Sequence, residues 1–126
     1  MIFRTLVVCA ACLAVTAHGQ NHDPATSPAV AAKVSLRGDA IGVRVSEIRI
    51  TRPNDILVVQ ADFGNGERTD RMVFYRFKWI DAVGNQVGDG ESWKQLTVLG
   101  LGQHTVKSVA PAGAATDFRL EMYVNQ

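Results

Sequence analysis

Cysteine is nearly absent from this sequence. Its two cysteines, Cys9 and Cys12, both lie close to the N-terminus, and residues 20–126 contain none. An internal disulfide and a cysteine-based zinc site are therefore excluded for this part of the chain. The body is long enough for one domain with a hydrophobic core, and that core has to hold the fold together without covalent help.

Histidine is also scarce, and only His104 lies beyond residue 32. A Ser-His-Asp hydrolase needs a histidine that activates a nucleophile held beside it. His104 lies in the segment GQHTVK, which has no neighbouring serine or carboxylate motif. The sequence thus predicts a surface histidine, and we expect no catalytic residues and no enzyme.

Three carboxylates are close in sequence and are candidates for paired-carboxylate catalysis or for holding a cation: Asp81, Asp89 and Glu91. They lie in a glycine-rich segment, where Asp and Gly are typical of turn geometry. Their spacing does not match the calcium-binding EF-hand loop. We interpret them as turn residues and expect neither a metal in the domain nor a cofactor.

An excess of charge of one sign is missing as well. Of the 13 Lys and Arg residues, one is Arg4 near the N-terminus, which leaves 12 against 12 acidic residues in the rest of the chain. A balanced body lacks the basic footprint of nucleic-acid binding and of electrostatic adhesion to anionic membranes. We expect no nucleic-acid partner, and membrane contact only through a lipid anchor.

Residues 1–19 predict a signal peptide that forms a cleaved N-terminal signal helix. Arg4 precedes an apolar run at 6–17 that is too short to span a bilayer as a mature helix. Small residues allow cleavage after Gly19 or after Ala17. Either cut predicts a soluble periplasmic protein.

Lipidation at Cys12 is the alternative route. Cys12 follows Ala10-Ala11, which resembles a bacterial lipobox, and modification there predicts a lipoprotein anchored to a membrane. Against it, Cys9 stands where that motif usually has leucine, and the preceding apolar run is short. The sequence leaves both routes open.

Residues 20–32 (QNHDPATSPAVAA) lack periodicity and predict a flexible tether to a single domain at 33–126. If cleavage follows Gly19, the mature chain begins Gln20-Asn21-His22. A terminal amine, two amide nitrogens and a third-position imidazole can hold Cu²⁺ or Ni²⁺ in a square plane. Cyclisation of Gln20, a different cut or lipidation at Cys12 would remove that site.

The body shows strand patterns throughout. The alternation of Val43 and Val45 shifts by one residue before Ile48 and Ile50, which predicts a β-bulge at Ser46-Glu47. Further alternating runs follow at 56–63, 72–80, 93–99, 103–110 and 117–124, separated by turn residues. About six or seven strands predict an all-β fold, an antiparallel β-sandwich.

The segment YRFKWIDAVGN (75–85) is the richest in aromatic residues. Tyr75, Phe77 and Trp79 share one side of a strand, with Arg76 and Lys78 on the other. Aromatics at alternate positions could form a stacking platform for sugars or bases. One buried and one solvated face are typical of antiparallel strands, which favours a core role for the three rings.

The motifs YRFKWIDAVGNQV, SWKQLTV, HTVKSVAP and ATDFRLEMYV resemble the YcfL-like family of bacterial envelope proteins, a domain of unknown function. The resemblance is firmest over 74–124 and extends back to Val43, with Asn65 in the loop before the aromatic strand. It implies an immunoglobulin-like sandwich and a periplasmic lipoprotein. It implies no functional residues, and the poor lipobox departs from the family.

These features predict a non-enzymatic periplasmic module that binds another cell-envelope component, such as a protein or a peptidoglycan-associated partner. The predicted contact regions are a sheet edge or the end loops Gly64–Asp70 and Asp81–Glu91. An alternative is carbohydrate or peptidoglycan binding through exposed aromatics, which requires Trp93 or Tyr75 to be accessible to solvent. Oligomeric state is left open.

Overall fold

Alternating apolar residues build two facing sheets. The computed structural model describes residues 27–126, so the leader, Cys12 and the Gln20-Asn21-His22 terminus lie outside the described residues. In chain order the elements are α1 (Pro28–Ala31), β1 (Val34–Arg37), β2 (Val43–Thr51), β3 (Val58–Asn65), β4 (Arg71–Ile80), β5 (Lys94–Val98), β6 (Gln103–Val109) and β7 (Asp117–Val124). A 3₁₀ turn at Pro53–Asp55 joins β2 to β3. The predicted all-β sandwich is confirmed.

The strands are ordered β1-β7-β4-β5 in one sheet and β2-β3-β6 in the other. Every pair is antiparallel except β1 and β7, which run parallel with Val34 opposite Leu120. The sandwich is antiparallel, as predicted, apart from this one parallel edge, which the sequence pattern did not indicate. A short alternating segment does not reveal the direction of its partner, because both kinds of pairing have the same side-chain period.

The core lies between the sheets and is filled by the inward positions of β3, β4 and β7. The largest fully buried side chains include Phe63, Phe77, Phe118 and Leu120. Each comes from a strand with neighbours on both sides. Their burial is the main source of stability in a domain whose described part contains no cysteine.

The bulge in β2 occurs where the phase shift predicts it. Its register against β3 shifts between Val45 and Glu47. Val45 is buried on one side of the shift, and Ile48 packs against the core on the other. The extra residue thus lets the apolar side chains on both sides of the bulge point toward the core.

Two segments differ from the expected loops. β3 continues through Gly64 to Asn65, where a loop was expected, because Asn65 still pairs with Val43 of β2 and Gly64 with Gln103 of β6. α1 occupies the end of the segment assigned to the tether, and its Val30 packs against the core. Between residues 27 and 126, no helix has the length and apolar character needed to cross a membrane.

Candidate functional site

The aromatic strand β4 directs Tyr75, Phe77 and Trp79 toward the core, as its alternation predicts. Phe77 and Trp79 are buried and their rings stack at 5.7 Å between centroids. Tyr75 is half-buried, with the Phe63 ring 5.6 Å away. Burial, helped by the charge of Glu91, raises the pKa of the Tyr75 phenol. The three rings therefore serve mainly to pack the core.

A second aromatic group lies on the outer face of the four-stranded sheet. Phe74 of β4 and Tyr123 of β7 are cross-strand partners, and their rings stack with centroids 4.7 Å apart. Trp93, just before β5, meets the Tyr123 ring edge-on at 4.9 Å. All three are half-buried. Together they form an apolar patch on a face that is otherwise polar.

Two guanidinium groups cover the indole of this patch. The Arg76 guanidinium lies over the Trp93 ring at 4.3 Å, and that of Arg37 lies at 5.2 Å. Oε2 of Glu121 accepts hydrogen bonds from both arginines, at 3.0 Å from Arg76 and 3.2 Å from Arg37. Cation–π contact and the shared carboxylate fix the arginines in place. The Trp93 ring is thus already engaged and is a poor free platform for a sugar.

A polar cleft lies beside the aromatic patch. β5 pairs with β4 only as far as Tyr75, so the last residues of β4 lack a partner strand on that side. The chain then departs as the excursion 81–93, leaving a cleft of about 400 Å³. Its lining includes Arg76, Lys78, Asp89, Glu91, Ser92 and Glu121.

Glu91 substitutes for the missing strand at the floor of the cleft. Its Oε2 accepts a hydrogen bond from the backbone N–H of Phe77 at 3.0 Å. Its Oε1 accepts hydrogen bonds from the Trp79 indole at 3.2 Å and from the Ser108 hydroxyl at 2.8 Å. One carboxylate therefore accepts a backbone N–H at the unpaired edge of β4 and also links this strand to Ser108 of the other sheet. Glu91 thus has a structural role.

Asp81 organises the start of the excursion. Its Oδ1 accepts hydrogen bonds from the backbone N–H groups of Val83 and Asn85, at 3.0 and 2.8 Å. This is turn geometry of the kind that the sequence pattern indicates. Asp81 is therefore occupied and does not form a catalytic pair with Asp89.

Two charged groups in the cleft have no partner among residues 27–126. Lys78 and Asp89 both line the cleft and are exposed, and the side chain of neither has a hydrogen bond or an ion pair with a described residue. Arg76 and Glu91, by contrast, are held by the contacts described above. The cleft thus offers one free cation and one free anion to a ligand.

Catalytic and metal chemistry find no support in the described part of the chain. His104 is exposed on β6, opposite Phe63 of β3. No group of three or more His, Cys, Asp or Glu side chains within residues 27–126 is placed to hold a metal ion. His104 is not part of the cleft lining, so the cleft has no Ser-His-Asp arrangement among residues 27–126.

Sequence reasoning found part of this site. Trp93 and the excursion at 81–91 were singled out, and Arg76 and Lys78 were placed on the solvent side of β4. The partnership of Phe74 with Tyr123 was missed. The sequence does show an aromatic residue at an outward position in each of the two strands. That the two residues are neighbours can be recognised only once the strand order is known.

Comparison with known proteins identifies the domain. A family model described as a protein of unknown function (DUF1425) matches residues 30–124. No curated protein matches significantly. Two crystal structures are similar to this chain.

The first is Campylobacter jejuni cj0090, at 20% identity and a TM-score of 0.60 over 74% of this chain and 98% of that one. At this identity it supports the fold alone. The second is a DUF1425 family member from Shewanella sp. pv-4, at 29% identity and a TM-score of 0.56 over 67% of this chain and 77% of that one. Since the family model spans most of the sequence, this chain belongs to the DUF1425 family, whose function is unknown.

Proposed function

We propose that this protein is an exported, non-catalytic binding module of the bacterial envelope, which holds a charged peptide segment of another envelope component. The observation that carries the proposal is the cleft of about 400 Å³ with unpaired Lys78 and Asp89 in its lining. A peptide segment carrying a carboxylate and an ammonium group would pair with these two side chains. The aromatic patch beside the cleft would add apolar contact.

A peptide fits the cleft better than a sugar ring does. Sugar binding through aromatics needs a ring face open to the ligand. The guanidinium of Arg76 lies over the Trp93 ring, and Tyr75 faces the core. The charged cleft wall instead favours a ligand with charges of its own.

Export is supported by the leader and by the resemblance to YcfL-like envelope proteins. Residues 1–19 have the charged start, apolar run and small-residue end of a signal peptide. The matured protein is a periplasmic domain, and acylation of Cys12 is the route by which it would reach a membrane leaflet.

Site-directed photo-crosslinking in cells tests the binding proposal. The full-length chain would carry a photo-reactive residue at Ser92, in the cleft lining, or at Lys107, on the outer face of the other sheet. We expect an adduct from Ser92 that the double variant Lys78→Gln/Asp89→Asn loses, and none from Lys107. Equal adducts from both positions, or an adduct that the double variant keeps, would contradict the proposal.

The mass of the mature protein tests export. A chain that begins after Gly19 or Ala17 is the expected soluble form, and an acylated Cys12 is the expected anchored form. An uncut leader in the native protein would refute export. The same measurement shows whether the Gln20-Asn21-His22 terminus exists, which copper or nickel binding at that terminus requires.

A further inference from the structure

A loop at one end of the sandwich projects two leucines into solvent. Leu99 is 63% exposed and Leu101 is 66% exposed, on either side of Gly100 in the connection from β5 to β6. Paired exposed leucines are unfavourable in water and are typical of surfaces that contact another molecule. None of the contacts described for the cleft involves them.

The loop is held rigidly by the facing connection between β3 and β4. The backbone N–H of Gly100 donates to Oδ1 of Asp70 at 2.7 Å, and that of Leu101 donates to the carbonyl of Glu67 at 2.7 Å. A Cβ at Gly100 would overlap the backbone carbonyl of Arg68. The leucines are therefore presented in a fixed arrangement, which lowers the entropy that binding costs.

Leu101 also has a backbone conformation that disfavours a leucine. Its φ is 57°, in the left-handed region where a β-carbon is strained and where glycine or asparagine is the usual residue. Stability alone would therefore favour another side chain at this exposed position. A strained, solvent-exposed apolar residue on a rigid loop is typical of a functional position.

A cavity beside Leu101 contains an unsatisfied arginine. The cavity has a volume of about 310 Å³, and its lining includes Arg44, Gly64, Leu101 and Gln103. Nε of Arg44 is buried and has no hydrogen-bond partner. The Arg44 side chain forms no hydrogen bond or ion pair with a described residue, so its guanidinium is the group in the cavity lining that a partner's acceptor would meet.

We infer that this end of the sandwich docks an acidic segment of a protein partner. The partner places a carboxylate against Arg44 and receives Leu99 and Leu101 in an apolar pocket. Carboxylates are the acceptors that guanidinium groups bind most strongly, and the adjacent leucines supply the apolar area.

A lipid surface fits the same end less well. The neighbouring segment Glu67–Arg71 carries two acidic and two basic residues, and Glu67 pairs with Arg71 at 2.7 Å. With Arg44, this end has three basic and two acidic residues, fewer than the clusters of about four to eight Lys and Arg residues from which membrane-binding segments gain affinity. The charge pattern therefore favours a protein partner. The inference does not depend on the cleft, because the two surfaces share no residue named for binding.

Peptide selection on the full-length protein tests this inference. A phage-displayed library of random peptides is selected on the immobilised chain, and the enriched peptide is synthesised and titrated by calorimetry. We expect enriched peptides to combine acidic and apolar residues. Arg44→Gln, Leu99→Ser and Leu101→Asn should each weaken binding by about tenfold, while Val83→Ser, at an apolar residue that is 80% exposed in another loop, should not.

Asparagine tolerates the left-handed conformation at position 101, so Leu101→Asn should not lower the melting temperature. A variant that melts no lower than the natural protein but binds more weakly has lost affinity without losing its fold. The inference is overturned if no peptide is enriched, if the enriched peptides lack acidic residues, or if the Val83 control weakens binding equally. It is also overturned if Leu99→Ser abolishes sedimentation with phosphatidylcholine–phosphatidylglycerol vesicles while peptide binding is unchanged.

Discussion

The carboxylate of Glu91 accepts a hydrogen bond from the Ser108 hydroxyl at 2.8 Å and so connects the excursion of one sheet to the edge strand of the other. The same carboxylate holds the indole N–H of the buried Trp79. The two sheets therefore meet through a charged, multiply bonded group as well as through apolar packing.

Glu91→Ala should lower the free energy of unfolding by about 3 kcal/mol, because it leaves the Trp79 indole N–H and the Ser108 hydroxyl without their acceptor. Glu91→Gln should cost less, since its amide oxygen keeps part of the acceptor capacity. Urea unfolding would measure both. Asp89→Ala, at an exposed carboxylate in the same excursion, should change stability by less than about 0.5 kcal/mol.

Gly100→Ala should destabilise the domain by about 2 kcal/mol or more, because a methyl group there overlaps the Arg68 carbonyl and the backbone cannot move aside cheaply. Gly113→Ala is the matched control, since its nearest atom would be 3.8 Å away. Thermal unfolding of the two variants checks the contrast. Equal melting temperatures would contradict the close approach of the two loops.

Leu101→Gly should raise the free energy of unfolding by about 0.5–1 kcal/mol, since glycine adopts a positive φ without steric cost. Leu99→Gly should lower it, because that position has no positive φ and glycine adds entropy to the unfolded chain. Chemical denaturation of both variants measures the difference. A Leu101→Gly protein that loses as much stability as Leu99→Gly would refute the assignment of strain to Leu101.

Stability should fall in acid partly through Asp62. Hydrogen bonds from the Arg49 guanidinium and then from the Thr105 hydroxyl hold the pKa of the Asp62 carboxyl below its ordinary value of 3.8. A depressed pKa contributes stability that is complete well above the unfolded value and is lost as the pH falls through the folded one. The loss should therefore begin near about pH 4 and grow below it.

Urea unfolding across pH 2 to pH 7 would test this behaviour. Asp62→Asn should be less stable near neutral pH and should show a shallower decline in acid than the natural protein. Asp89→Asn, which alters an exposed carboxylate without an ion pair to a described residue, is the control for the change of charge. Identical acid slopes for the Asp62 variant and the natural protein would contradict the role of this ion pair.

The sequence predicted the parts of the fold that depend on side-chain period. The bulge after Val45 and the inward faces of β3, β4 and β7 follow from alternation alone, since period two assigns each residue to a face. β1 escaped notice because four residues are too few to show a period. Asn65 was placed in a loop because Gly64 and Gly66 flank it, whereas its pairing with Val43 of β2 extends the strand.

The candidate site was predictable only in fragments, because it combines residues from distant strands. Arg76 and Lys78 were placed on the solvent side of β4 from their spacing. The partnership of Trp93 with Arg37 and Tyr123 depends on which strands are neighbours, and that order is not encoded in any local pattern. The unpaired state of Lys78 and Asp89 likewise follows only from the positions of all the surrounding charges.

The position of β7 bears on when the protein can fold. The last strand, Asp117–Val124, lies between β1 and β4 rather than at an edge. The four-stranded sheet therefore cannot assemble until β7 has been synthesised, and its parallel edge joins the two ends of the described chain. Truncation before Asp117 would remove the middle of this sheet, and a nascent chain that has not reached Val124 cannot complete it.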